Sequence, residues 1–164
     1  MRLCLLAAMV LSLAVFAGVT EFGIHGGAFL PTGDASDAYN ISFGAGGNVL
    51  AHMATYAIEG SISYVFLSPE YDWDEFSAYM VPVLGGIRTY TGNIFYGGGL
   101  ALHYVHVSWE ESGEEWDDSN SELGAYGNIG TILGTGGTDV EISGKLHWID
   151  FDNFWIGATG GIYF

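Results

Sequence analysis

Beyond residue 20 the chain alternates with a period of two and nowhere sustains the 3.6-residue period of a helix. Phe22, Ile24, Gly26, Ala28 and Leu30 alternate with Glu21, Gly23, His25, Gly27 and Phe29. The same pattern runs through Tyr56–Phe66, Val140–Trp148 and Phe154–Phe164. Four weaker segments, at about 41–50, 78–88, 94–108 and 122–133, bring the predicted strands to eight. Successive side chains of a strand point to opposite faces, so each segment has one apolar face and one mixed face. With 49% hydrophobic residues and 26 glycines, the chain is too apolar for disorder and reads as all-β.

The connections alternate in character. Short or glycine-rich turns are predicted at 51–55, 89–93 and 134–138. The other connections are polar and hold most of the acids. Asp34 and Asp37 lie in the first, and Glu70, Asp72, Asp74 and Glu75 in the second. Glu110, Glu111, Glu114, Glu115, Asp117 and Asp118 lie in the third, and Asp150 and Asp152 in the fourth. An up-and-down array with charged loops at one end and tight turns at the other is the layout of a transmembrane barrel. The formal net charge of −16 excludes nucleic acid as a partner, because phosphate binding needs a basic face.

Alternation alone also fits a soluble barrel with its apolar side inward. Three features favour the inverted arrangement. Glu59, Glu141, Lys145 and His147 all oppose the apolar set, and a charge facing lipid near midplane costs about 2–4 kcal/mol. Aromatics gather at strand ends, with Phe22, Tyr56 and Phe164 at the turn end and Phe66, Trp109, Trp148 and Phe154 at the loop end. The last alternating segment also runs up to the aromatic Phe164.

Residues 1–17 read as a cleaved export signal, leaving 18–164 as the barrel domain. Arg2 is the positive start, Leu3–Phe16 the apolar run, and Val15-Phe16-Ala17 the small-residue site. Cys4 would leave with the signal, so no disulfide is expected, and Arg88 and Lys145 would be the remaining strong bases.

The export signal, the eight alternating segments, the stretch Gly26–Asp34 and the closing Phe154–Phe164 resemble the small eight-stranded outer-membrane barrels of Gram-negative bacteria. That family includes the transmembrane domain of outer-membrane protein A and the proteins X and W. The resemblance implies an eight-stranded antiparallel up-and-down barrel in the outer membrane, with both termini in the periplasm. It implies lipid and lipopolysaccharide as surroundings, and Phe164 as the signal read by the barrel-assembly machinery. Pro82 departs from the pattern, since a closed ladder should not lose a donor mid-strand. Either a bulge falls there or the fourth strand lies elsewhere.

The lumen set is expected to be a satisfied polar core of His25, Glu59, Arg88, His103, Glu141, Lys145 and His147. Lys145 is expected to reach Glu141 or Glu59. The functional alternative is an ion path. Sequence spacing gives no reason for His25, His103 and His147 to meet, so no metal or other cofactor is expected. His106 and Ser108 share a face, as in barrel deacylases of the outer membrane. Trp109 stands where that family has Asn, and Glu122 would have to fold back as third member. The acids of 110–118 could attract divalent cations, with no calcium-loop spacing to support it. The glycine pairs lack the strand–loop–helix setting of a phosphate cradle and suit a narrow, bent barrel. The leading function is therefore non-enzymatic, structural or surface-interacting. Transport through the barrel and outer-leaflet lipid modification are the alternatives.

Overall fold

The computed structural model describes residues 19–70, 76–111, 114–134, 138–149 and 153–164. The predicted export signal lies outside the described residues. Eight strands follow one another: β1 (Val19–Gly33), β2 (Ser42–His52), β3 (Tyr56–Leu67), β4 (Ser77–Thr91), β5 (Ile94–Glu111), β6 (Glu114–Gly134), β7 (Asp139–Trp148) and β8 (Asn153–Tyr163). Each pairs antiparallel with the next, and β1 pairs with β8, so the sheet closes into a barrel. One 3-10 turn, Asp34–Asp37, follows β1.

Burial is the reverse of a soluble protein's. Leu123, Leu100, Ile129, Phe43 and Ile24 all point outward and are 60–70% exposed. Arg88, Glu59, His103 and His147 point inward and are at most 1% exposed. Only a lipid exterior makes this arrangement favourable. The turns β2–β3, β4–β5 and β6–β7 share one end of the barrel with both chain ends, and the other four connections share the opposite, mouth end. At the turn end, Gly92 takes a φ of 62°, which lets β4 reverse into β5 between Thr91 and Ile94.

The barrel is narrow enough to need glycine inside. A Cβ on Gly99 would stand 2.2 Å from the Gly85 carbonyl oxygen, and one on Gly86 would stand 2.6 Å from the Tyr126 hydroxyl. These glycines let neighbouring strands and lumen side chains pack, which matches the structural reading of the glycine pairs.

Three expectations are corrected. The third connection is no long loop: β5 and β6 stay paired through Glu110↔Glu115 and Glu111↔Glu114, forming a hairpin that continues the wall outward. Trp109 lies on the lumen-side register of that hairpin, opposite Trp116, and so leaves the outward aromatic band. Pro82 needs neither a bulge nor a new strand. It is fully buried in β4, and the β3–β4 register is unchanged on either side of an interruption opposite Ser63–Tyr64.

The inverted burial makes the cost of an outward charge depend on depth. Ile129→Arg, opposite Gly144 near mid-height, should destabilise the folded barrel by about 2–4 kcal/mol in lipid vesicles. Ile94→Arg at the turn-end rim should cost about 0–1 kcal/mol. Urea unfolding of both variants measures the difference. Equal costs would mean that residue 129 does not face hydrocarbon.

Candidate functional site

The lumen is filled in tiers, which follow from where each inward residue sits along its strand. The tier nearest the turns is centred on Arg88 of β4. Its Nη2 donates to Glu59 Oε1 at 2.6 Å and its Nη1 to Glu141 Oε2 at 2.5 Å. The guanidinium lies 4.0 Å from the centre of the Phe95 ring. Glu59 Oε2 accepts from Asn128 at 2.9 Å and from the Tyr126 hydroxyl at 3.3 Å. Glu141 Oε1 accepts from Ser143 Oγ at 2.9 Å. Tyr163 accepts from Arg88 at 3.4 Å and also from Asn48. A buried charge is tolerated only when paired and hydrogen-bonded, and both carboxylates meet that requirement.

Lys145 also points into the lumen and is 4% exposed. Its expected ion pair with Glu59 or Glu141 is not formed; among the described residues Arg88 takes both carboxylates. The reason is geometric. A guanidinium fork can hold two carboxylates from different strands at once, whereas an ammonium is a single point of charge. Lys145 still completes the count, since two bases and two acids leave these four lumen charges balanced.

The middle tier holds the histidines. His25 Nε2 and Ser63 Oγ are 2.8 Å apart. His103 Nε2 lies 3.3 Å from His147 Nδ1, and Phe29 packs edge-on against His147 with ring centres 5.8 Å apart. The barrel thus unites two histidines that sequence spacing left apart. They form no metal-binding group among the described residues.

Above them lies an apolar layer of Phe29, Val65, Leu67, Ala78, Met80 and Trp155. This layer is the floor of a cavity of about 400 Å³ that opens at the mouth. Its wall is apolar at Leu67, Met80, Val105, Val107 and Trp155 and acidic at Asp34, Asp118 and Glu122; Asp118 stands opposite Val107 toward the opening, and Glu122 stands opposite His103 deeper in. Two contacts position the acidic wall. The Ala35 N–H donates to Asn153 Oδ1 at 2.9 Å, tying the 3-10 turn to β8. Asn120 Nδ2 donates to Glu122 Oε1 at 2.7 Å. Tyr39, half-buried in the cavity wall, has its hydroxyl pushed above the usual phenol range by burial. The sequence reading missed this cavity. Its residues come from five strands and two connections, and only its acids Asp34, Asp118 and Glu122 drew notice, for other roles.

The nucleophile arrangement is not assembled. His106 and Ser108 face outward, where His106 lies 5.0 Å from the outward-facing Tyr79 ring, while Glu122 faces the lumen mouth. The cation reading of 110–118 rests largely on side chains outside the described residues, as do Asp72, Asp74, Glu75, Asp150 and Asp152.

No family model matches the sequence, and no curated protein matches it. Solved structures do. Ail, the attachment invasion locus protein of Yersinia pestis, superposes with a TM-score of 0.65 at 12% identity, covering 91% of this chain and 100% of that one. Ail bound to the heparin analogue sucrose octasulfate gives 0.64 at 13% identity, covering 88% of this chain and 97% of that one. Neisserial surface protein A gives 0.60 at 10% identity, covering 88% of this chain and 95% of that one. The fold is that of the small eight-stranded outer-membrane barrels. Strand order, closure and inverted burial all agree with it.

The network around Arg88 yields a stability test. Arg88→Met strips the partner from two buried carboxylates and should cost about 3–5 kcal/mol. Adding Glu59→Gln and Glu141→Gln should recover much of that loss. Urea unfolding in vesicles reads both effects, and a triple variant no better than Arg88→Met would refute the pairing account.

Proposed function

We propose that the chain is an outer-membrane protein of a Gram-negative bacterium whose mouth end faces outward, and that it acts by contact at that mouth. The observation that carries this reading is the combination of a filled lumen and an open mouth. Arg88, Phe95, His103 and His147 fill the section below the floor, while about 400 Å³ stays open above it. A lumen packed with paired charges and rings has no path for a solute, which disfavours transport. Separation of His106 and Ser108 from Glu122 disfavours an acyl-transfer enzyme.

The similarity to Ail and the Neisserial surface protein, an attachment locus protein and a surface protein, supports a surface role. A sulfated ligand like that of Ail does not suit this chain. Asp34, Asp118 and Glu122 at the mouth would repel it.

Reconstitution into planar bilayers should give no unitary conductance steps. Stable steps would make the barrel a pore. Protease added to intact cells should cut near residues 66–77 or 109–121 and spare 51–55, 89–93 and 134–138; the converse would invert the orientation.

The assembly role of Phe164 belongs to the same proposal. Its side chain is 68% exposed, and its N–H and C=O pair with Phe22 at 2.9 and 3.2 Å. Deleting Phe164 should lower outer-membrane yield far more than Phe22→Ala does. Equal yields, measured by quantitative immunoblotting of membrane fractions, would reduce Phe164 to a girdle residue.

A further inference from the structure

We infer that the mouth cavity binds a small amphipathic cation, meaning an ammonium or guanidinium group carried on an aromatic or branched apolar body. The inference rests on the outward orientation proposed above and adds the chemistry of the ligand. The cavity of about 400 Å³ falls within the range of small-molecule sites, which run from about 300 to 1,000 Å³. Its lining asks for two different things.

Part of the lining is apolar. Leu67, Met80, Val105, Val107 and Trp155 offer hydrocarbon and an indole face. A hydrated metal ion would leave these walls facing water, so burial of an apolar body is the favourable use of them. The rest is acidic, with Asp34 and Asp118 toward the opening and Glu122 deeper, at the level of His103. No Lys or Arg among the described residues stands there to neutralise them. Arg88 and Lys145 are both buried beneath the floor. An anionic ligand would meet only repulsion at the rim. A neutral apolar ligand would bring the three carboxylates nothing. A ligand with a cationic head and an apolar body satisfies both parts in one pose.

The acidic wall is also held ready. Asn120 fixes one oxygen of Glu122 and leaves the other open, and Asn153 anchors the turn that carries Asp34. Little ordering is then required when the ligand arrives.

The test is calorimetric titration of the folded barrel in lipid nanodiscs, with empty nanodiscs as background. The probe is 4-phenylbutylamine. The comparators are 4-phenylbutyrate, which has the same body with the opposite charge, and butylamine, which keeps the charge without the ring. The amine should bind saturably, about tenfold or more tighter than either comparator. Asp118→Asn combined with Glu122→Gln changes two side chains of the cavity wall outside the packed apolar floor, and should weaken the amine about fivefold without weakening the acid. Val107→Phe, which fills the cavity, should abolish amine binding with the carboxylates intact. Equal affinity for amine and acid overturns the inference, as does an unchanged affinity in the double carboxylate variant. Absence of amine binding by a non-conducting, correctly oriented barrel would refute the cavity assignment alone. Conductance or inverted proteolysis would refute the reading beneath it.

Discussion

A backbone N–H or C=O left unpaired in hydrocarbon costs several kcal/mol, so a sheet in a bilayer must have no edge. The pairing of β1 with β8, from Gly23↔Tyr163 to Gly33↔Asn153, removes the edge. Much else follows from that closure. Eight strands make a tube just wide enough for side chains to fill, so the interior becomes a solid core. The period-two pattern then sends every second residue into that core and its neighbours into lipid. Gly86 and Gly99 are small because the strands facing them, and the Tyr126 hydroxyl, already occupy the space.

The core's composition is set by charge. Glu59 stands on β3 and Glu141 on β7, on opposite walls of the barrel, and Arg88 on β4 reaches both. The planar fork acts as a strut between walls as well as a counter-ion. Apolar packing of similar volume would often be as stable as a buried ion pair. What the ionic arrangement adds is dependence on geometry, since it is satisfied only when β3, β4 and β7 sit at one relative height. The cost falls elsewhere. With Arg88 and Lys145 both enclosed, no Lys or Arg among the described residues remains to offset the acids at the mouth.

Strands were legible because alternation is local. Glu59, Glu141, Lys145 and His147 revealed their face through parity alone, and the structure places all four inside. Partners across the lumen were not legible. Whether Arg88 or Lys145 meets Glu141 depends on strand tilt and stagger, which alternation does not encode. The approach of His103 to His147 depends on the same quantities and was missed for the same reason. The third connection misled in another way. Its run of acids has the composition of a solvated loop, yet the backbone continues the ladder through it. Composition describes how a segment meets water, and pairing is decided by the strand next to it.

That acidic hairpin bears on the mouth as well. Its register sets Glu110 opposite Glu115 and Glu111 opposite Glu114. Just below, Trp109 stands opposite Trp116. The same hairpin carries Asp118 and Glu122 into the cavity wall. In the binding inferred above, a cationic head would meet carboxylates that have no Lys or Arg beside them among the described residues. Enclosing both strong bases thus gives the lumen its ordered core, and the same enclosure leaves the carboxylates of the mouth without a basic neighbour among the described residues.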